Sequence, residues 1–226
     1  IHKSYHAIRQ SLTNSLGEPT SAVFGFLNTF MRLYRELEFD YVAVVFDAPG
    51  PTFRKELFEE YKANRPPMPE DLKVQEQRVL ELLRILGVPT VQMEGFEADD
   101  VIAGLARRAV QEGGEAVVCS SDKDLLQVVQ PGIIVFREHL QKAEWLDEQG
   151  VNEKMGVKPE QVPVYLGLVG DTSDNIPGVP GIGKKGAVKL LQEYGDLEDL
   201  LAAVPGMKKS KTQRALEEHA EEARLS

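Results

Sequence analysis

The sequence contains few cysteines, few histidines and no long apolar run, and each of these features excludes a class of protein. With one cysteine in 226 residues, Cys119, neither an intramolecular disulfide nor a multi-cysteine zinc site can form, which fits a reducing compartment. The four histidines share no metal-ligand spacing. No apolar run approaches the roughly 18 to 20 residues that cross a bilayer, so we expect no membrane contact.

Basic residues are also in the minority, 26 against 36 acidic ones, which gives a formal net charge of −10. At first sight that balance argues against a nucleic-acid partner. Local charge decides such binding, however, because a basic patch attracts phosphate even on an acidic protein. The net charge therefore does not exclude DNA, and the positions of the acidic residues decide the matter.

Short β-branched segments alternate with amphipathic helical segments through the first two thirds of the chain. This alternation predicts an α/β fold with a parallel-type central sheet flanked by helices. The strand candidates are 41–46, 88–93, 116–120 and 133–136, and the helix candidates are 20–37, 72–86 and 97–109. Beyond about residue 150 only helices are expected, near 159–169, 184–194 and 196–203. We predict an α/β core over 1–150 and a helical region over 151–226.

Residues 48–71 differ from the segments around them, because prolines punctuate them and basic side chains interrupt them. The basic residues include Arg54, Lys62 and Arg65. Loops of this length in compact domains are usually functional or disordered. We predict a long, basic, weakly packed connection.

Acidic residues follow each of the first three predicted strands, and two more lie in a later loop. They are Asp47; Glu97, Asp99 and Asp100; Asp122 and Asp124; and Asp171 and Asp174. Taken singly, such residues are helix caps or solvated turn residues. Taken together, they would converge at the carboxyl edge of a parallel sheet.

The joint interpretation implies a metal site. Two unit charges 4 Å apart interact by about 4 kcal/mol at an effective dielectric near 20, so such a cluster must protonate, disperse or bind cations. All-oxygen ligands suit Mg²⁺ or Mn²⁺. Setting these eight aside leaves 28 acidic residues against 26 basic ones, so most of the excess negative charge lies in the cluster.

A glycine-rich segment has the form of a helix-hairpin-helix motif. Its residues include Gly178, Gly181, Gly183, Lys184 and Lys185. Glycines let the turn approach a phosphate, and the N-terminus of the next helix would point N–H groups at it. Such a motif binds the DNA backbone without reading bases. The alternative is an ordinary interhelical turn with solvated lysines.

Several motifs together resemble one family in order and over nearly the whole chain. They are Val45-Phe46-Asp47-Ala48, Tyr61-Lys62-Ala63-Asn64-Arg65, Gly95-Phe96-Glu97-Ala98-Asp99-Asp100, Ser121-Asp122-Lys123-Asp124-Leu125 and Gly170-Asp171-Thr172-Ser173-Asp174-Asn175, followed by the glycine hairpin. The sequence is similar to the 5′ nuclease domains of bacterial DNA polymerase I, in the flap endonuclease (5′–3′ exonuclease) family. The resemblance implies a PIN-like 5′ nuclease fold.

The same resemblance implies a role for each site residue. Asp47, Glu97 and Asp99 match a first metal site, Asp122, Asp124 and Asp174 a second, and Asp100 and Asp171 accessory acids. Lys62 and Arg65 match catalytic arch residues that contact the scissile phosphate, with Arg54 as a helper. The arch is expected to order over single-stranded DNA, and the hairpin to hold the duplex, with K⁺ as a further ion there.

The implied activity is two-metal hydrolysis of DNA at a 5′ flap, nick or 5′ end, or at an RNA primer paired with DNA. The partner implied is a DNA polymerase, fused or cooperating, and the protein is expected to be a monomer in the bacterial cytoplasm. The family's first strand ends in an aspartate that is a metal ligand, and alignment of Lys3-Ser4-Tyr5-His6-Ala7 puts it about five residues before Ile1. An inactive DNA-structure-binding module and a single-strand ribonuclease are the alternatives.

Overall fold

We describe the protein from a computed structural model, which describes residues 5–6, 12–139 and 142–225. The chain forms two compact units, one of Ile1–Pro49 with Pro66–Glu94 and the other of Gly50–Arg65 with Gly95–Ser226. Of the segment 3–7, on which the expected position of a first aspartate rests, the structure describes only residues 5 and 6.

The helices and strands follow the predicted order. The helices are α1 (Ser21–Glu36), α2 (Phe53–Leu57), α3 (Glu70–Ile85), α4 (Ala98–Gln111), α5 (Glu148–Met155), α6 (Val162–Val169), α7 (Lys184–Tyr194), α8 (Leu197–Ala203), α9 (Lys211–Glu218) and α10 (Ala220–Leu225). The strands are β1 (Val44–Val45), β2 (Thr90–Val91), β3 (Ala116–Cys119), β4 (Ile133–His139) and β5 (Lys142–Leu146). Single 3₁₀ turns cover Asp124–Val128, Pro159–Gln161 and Val204–Gly206.

The first unit contains α1, α3 and a parallel β1–β2 pair. Apolar residues at helical spacing put Leu72, Val79 and Leu83 of α3 in its core, where all three are fully buried. The first strand is shorter than predicted, because Tyr41 is 94% exposed and only Val44 and Val45 pair with β2. A β-branched run marks a strand, whereas its partner sets how much of the run is paired.

The second unit contains a three-stranded sheet in which β3 pairs parallel with β4 and β4 pairs antiparallel with β5. Its apolar core continues into the C-terminal helices, where Leu168, Leu191, Leu200 and Leu216 are fully buried. The helical segments predicted after residue 150 are present as α6, α7 and α8. Three elements of this unit were not predicted from the sequence, namely α2 within the expected connection 48–71, β5 and α5.

The described residues thus form two separate sheets, whereas the alternation of elements predicted one. Alternating patterns identify strands and their direction but do not identify which strands are neighbours. The α/β class, the parallel pairs and the helical C-terminal region are as predicted. Among the described residues, no helix is long and apolar enough to cross a membrane.

Candidate active site

Two carboxylates at the N-terminus of α4, those of Glu97 and Asp100, contact basic side chains of the segment 50–65. Asp100 Oδ2 accepts a hydrogen bond from the backbone N–H of Glu97 at 3.0 Å, which fixes the start of the helix. The Arg54 guanidinium binds Asp100 through both oxygens, at 2.6 and 2.7 Å. This paired hydrogen bond holds the pKa of Asp100 below its usual value and raises that of Arg54.

Tyr61 and Lys62 join Glu97 to Asp174, which belongs to the loop after α6. The Tyr61 hydroxyl lies 2.9 Å from Glu97 Oε2 and 3.1 Å from Asp174 Oδ2, and burial beside two carboxylates raises its pKa. The hydroxyl therefore keeps its proton and donates to one carboxylate at a time. Lys62 Nζ lies 2.7 Å from Glu97 Oε1 and 3.7 Å from Asp174 Oδ2.

The backbone of Lys62 is unusual, with φ at 54°. This left-handed conformation is uncommon outside glycine, asparagine and aspartate, and it costs free energy. The N–H of Lys62 donates to the carbonyl oxygen of Asp174 at 2.9 Å, which helps to hold the conformation. Residues with such strained backbones cluster at functional sites, so this conformation favours a functional role for Lys62.

The rest of this segment is bound to the loop 171–175. Arg65 Nη2 lies 2.5 Å from Asp174 Oδ1, and Asn64 Nδ2 donates to the Thr172 carbonyl oxygen at 2.8 Å. Asn175 Nδ2 donates in turn to the Glu60 carbonyl oxygen at 2.7 Å. The prediction of a weakly packed connection is therefore wrong for residues 58–65, because backbone carbonyls supply partners that composition does not reveal.

Asp124 lies at the start of a 3₁₀ turn with a buried oxygen. Its backbone N–H donates to Asp122 Oδ1 at 3.0 Å, a local turn that brings two carboxylates together. Burial, with the charges of Asp122, Asp171 and Asp174, outweighs Lys123 and raises the pKa of Asp124 to about 6. In the described part of the chain, the buried Oδ1 of Asp124 has no hydrogen-bond partner.

Asp171 is only 6% exposed, and both of its carboxylate oxygens have polar partners. Ser173 donates to Oδ1 through its backbone N–H at 2.8 Å and through its hydroxyl at 2.5 Å, and Lys123 Nζ lies 2.9 Å from Oδ2. Burial alone would raise the pKa of Asp171, but these hydrogen bonds lower it below the usual value.

Seven of the eight predicted metal ligands lie in the second unit, whereas Asp47 lies in the first. Within the second unit, Glu97 and Asp174 both contact the Tyr61 hydroxyl and the Lys62 ammonium group. The charges of Asp171 and Asp174 both raise the pKa of Asp124. Asp99 is in the first turn of α4. The backbone carbonyl of Asp47 accepts from Gln92 Nε2 at 3.1 Å.

Carboxylates of the second unit lie beside the chain's own cations. Among the residues that the structure describes, no group of three or more His, Cys, Asp and Glu side chains is arranged to hold a metal ion. Arg54, Lys62, Arg65 and Lys123 pair with these carboxylates instead. This means of neutralising the charge was not predicted from the sequence. Roles for Tyr61 and Lys123 were not predicted either, although both residues lie inside the motifs that carry the resemblance.

The glycine hairpin divides into a packed part and an open part. Gly178 has φ at 66°, and a Cβ there would lie 2.4 Å from the backbone nitrogen of Gly170, so its lack of a side chain serves internal packing. Gly181 and Gly183 have open space around them. Lys184 and Lys185 follow as exposed residues in the first turn of α7, and neither forms an ion pair within the described residues.

Two family models together match the entire chain. A model of the 5′–3′ exonuclease N-terminal resolvase-like domain matches residues 1–156, which is more than half of the chain. The chain belongs to the 5′–3′ exonuclease family. A model of the 5′–3′ exonuclease C-terminal SAM fold matches residues 157–226 of this exonuclease-family chain, the part that includes the glycine hairpin.

Some relatives of this family member are much longer proteins, and the chain matches only one part of them. It is 47% identical over 191 residues to DNA polymerase I of Pseudomonas aeruginosa, covering 84% of the chain and 21% of the polymerase. It is 40% identical over 194 residues to a 5′–3′ exonuclease of Aquifex aeolicus, covering 86% of the chain and 66% of that exonuclease. The chain thus spans about a fifth of one relative and two thirds of the other.

Solved structures share the fold of this family member. The 5′-exonuclease of T5 with bound zinc superposes with a TM-score of 0.75 at 24% identity, over 89% of this chain and 78% of that one. The catalytic core of Rad2 in complex with a DNA substrate superposes with a TM-score of 0.61 at 17% identity, over 97% and 70%. At these identities the likeness establishes the fold.

The donor types of the second unit, although paired with Lys and Arg in this structure, suit a hard divalent cation. All candidate ligands are carboxylate oxygens, which Mg²⁺ and Mn²⁺ prefer. The orphaned Oδ1 of Asp124 is the decisive feature, because a buried carboxylate oxygen without a partner is unfavourable until a cation or a donor reaches it.

Proposed function

We propose that this chain hydrolyses DNA phosphodiester bonds as a divalent-metal-dependent 5′–3′ exonuclease and 5′-flap endonuclease. One observation carries the proposal: Lys62 and Arg65 lie on the carboxylates Glu97 and Asp174, so phosphate-binding cations and metal-binding oxygens occupy one site. Metal ions activate water and stabilise the leaving group, and basic side chains neutralise charge on the phosphate, so this site offers both kinds of catalytic group.

The carboxylates would hold Mg²⁺ or Mn²⁺ in two sets. The first is Asp47, Glu97 and Asp99, the second is Asp122, Asp124 and Asp174, and Asp100 and Asp171 assist. When bound, the ions supply the positive charge that activates water and stabilises the leaving group. The orphaned oxygen of Asp124 supports this assignment most directly, since that oxygen gains a partner.

The chain's own cations would act on the phosphate. Lys62 and Arg65 exchange their carboxylate partners for the non-bridging oxygens of the scissile phosphate, where they neutralise developing charge. Arg54, bound to Asp100 through two hydrogen bonds, helps to hold this segment beside α4. Tyr61 stays protonated and orients Glu97 and Asp174.

The hairpin would hold the duplex beside the cut. Gly181 and Gly183 leave room for a phosphate next to the N-terminus of α7, and Lys184 and Lys185 add charge. Gly178 supports the turn from inside, and K⁺ is the ion proposed to join hairpin carbonyls to phosphate. The substrates proposed are flaps, nicks, 5′ ends and primer hybrids.

The cellular setting is proposed from the relatives, which are bacterial and include DNA polymerases I. We propose that the chain removes primers and flaps in replication and repair, fused to or cooperating with a DNA polymerase. It would act as a monomer in the bacterial cytoplasm, where the chromosome lies.

The test is incubation of this chain with a 5′-labelled flap duplex in Mg²⁺, beside an EDTA control and the variant Asp124→Asn. We expect cleavage in Mg²⁺ at the flap junction, none in EDTA, and DNA binding without cleavage by the variant. Binding without cleavage by the parent chain would favour a DNA-structure-binding module instead. That alternative is favoured by the ion pairs that engage these carboxylates.

A further inference from the structure

A groove of about 880 Å³ lies within the second unit, between the acidic loops and α7. Its floor is apolar, with Leu166, Val169 and Val188 among its residues. Its cationic residues come from four separate parts of the chain: Lys123, Arg137, Lys154, and Lys184, Lys185 and Lys189 of α7. The sole carboxylate among the residues that line it is Asp171.

This concentration of positive charge is notable in a chain of net charge −10. Asp171 neutralises little of it, because that carboxylate is already paired with Lys123. Like charges placed along one groove repel each other and favour a polyanion that lies across them. The sequence places Lys189 with Lys184 and Lys185 as charge at the hairpin, whereas it gives no sign of a role for Arg137 or Lys154.

Arg137 connects the groove to the acidic site. It extends from β4, and its Nη2 donates to the carbonyl oxygen of Ser121 at 2.5 Å, immediately before Asp122. The remaining N–H groups of the guanidinium leave donors for a further acceptor. Arg137 therefore lies beside the acidic loop and lines the same groove as Lys184 and Lys185 of the hairpin.

Lys154 lies at the end of α5 and forms an ion pair with Glu144 of β5. Both side chains are partly exposed, and exposed ion pairs of this kind contribute little to stability. A phosphate can therefore replace the carboxylate at small cost. Lys189, one turn along α7 from Lys185, is exposed and forms no ion pair within the described residues.

We propose that Arg137, Lys154 and Lys189 form a second phosphate-binding contact, which holds the backbone of duplex DNA in this groove between the hairpin and the acidic site. The contact would fix the register of the duplex relative to the cut without reading bases. This inference rests on the proposed function, because it adds residues to the same DNA-binding surface.

The experiment measures fluorescence anisotropy of a labelled 5′-flap duplex in EDTA, where no cleavage occurs, over a range of KCl concentrations. We expect Lys154→Ala and Lys189→Ala each to weaken binding about three- to tenfold. Each should also reduce the slope of log affinity against log salt by about one, since one phosphate contact is lost. Arg137→Ala should act likewise, provided that its thermal unfolding matches the parent.

Lys158→Ala is the matched control, because Lys158 is exposed, pairs with Glu160 and lies outside the groove. It should bind like the parent. If the parent itself does not bind the duplex, the proposed function fails. If the parent binds and the Lys154→Ala, Lys189→Ala double variant keeps its affinity and salt slope, the groove assignment is overturned.

Discussion

The ammonium group of Lys62 lies 2.7 Å from Glu97 Oε1 and 3.7 Å from Asp174 Oδ2, so one lysine bridges carboxylates 77 positions apart in the chain. A divalent cation bound as proposed would compete with this ammonium group for the same oxygens. The backbone N–H of Lys62 also donates to the carbonyl oxygen of Asp174 at 2.9 Å, so both its side chain and its backbone contact that residue. The two roles proposed for the site, metal binding and phosphate binding, are therefore coupled through Lys62.

The coupling predicts opposite effects of Lys62→Met on metal binding and on cleavage. Removing the ammonium group should tighten Mg²⁺ binding, because Glu97 and Asp174 lose their competing cation. Flap cleavage should fall about 10²- to 10³-fold, as expected when a charge-stabilising donor is lost. Calorimetric Mg²⁺ titration and single-turnover cleavage measure the two effects, with the exposed Lys73→Met as control. Unchanged metal affinity would contradict the shared-oxygen model.

A second prediction concerns the segment 50–65. Its attachment depends on ion pairs from Arg54, Lys62 and Arg65 to acidic partners. Mg²⁺ should weaken these pairs and speed cutting by trypsin in the segment, measured by mass spectrometry against KCl of equal ionic strength. Cutting at the exposed Lys208–Lys209 turn should not change. Slower cutting of the segment in Mg²⁺ would show that the ion pairs do not hold it.

A third prediction follows from the raised pKa of Asp124, about 6 against an ordinary 3.8. Between these values the folded protein binds more protons than the unfolded chain, so this group's contribution to stability falls as pH rises through about 6. In EDTA, Asp124→Asn should therefore be more stable than the parent at pH 8, and the difference should shrink toward pH 4. Urea denaturation at three pH values measures it.

The control for Asp124→Asn is Asp40→Asn, an exposed position in the other unit. It should not change the pH dependence of stability. Mg²⁺ should stabilise the parent by mass action and the Asp124 variant much less. An Asp124 variant that is less stable than the parent at pH 8 in EDTA would mean that the buried oxygen already has a partner.

Much of the fold could be predicted because periodicity is a local property. The spacing of apolar residues predicted a helix over 72–86, and α3 covers Glu70–Ile85 with Leu72, Val79 and Leu83 buried. Strand partners are not local, so the sequence predicted one sheet where the described residues form two.

The candidate site was predictable as a set of residue types but not as a set of contacts. Acidic residues after strands identified Glu97 and Asp124 as candidates. The pairing of Glu97 with Lys62 was not predicted, because it depends on how the segment 50–65 folds back. Tyr61 is only 9% exposed because the segment folds back onto the acidic residues. A proline-flanked basic segment gives no sign of such a buried side chain in the sequence.

The last prediction separates structural from functional glycines in the hairpin. In Gly178→Ala the new Cβ would meet the backbone of Gly170 at about 2.4 Å, and backbone cannot move aside as a flexible side chain can. The left-handed φ of 66° alone costs about 1–3 kcal/mol for a residue with a Cβ, so this variant should be strongly destabilised. Gly183→Ala, at an extended φ of −93° and with open space around it, should fold with the stability of the parent.

For DNA binding by the folded protein, Gly183→Ala should be the variant with the larger effect, although it should be the variant with the smaller effect on stability. The methyl group of Gly183→Ala would occupy the space proposed for a phosphate, so a fully folded protein should bind the duplex more weakly. Urea denaturation and anisotropy on both variants measure the two properties independently. If Gly178→Ala unfolds at the parent's midpoint, the close approach of Gly170 to Gly178 is wrong. If Gly183→Ala binds the duplex as the parent does, the phosphate lies elsewhere on the hairpin.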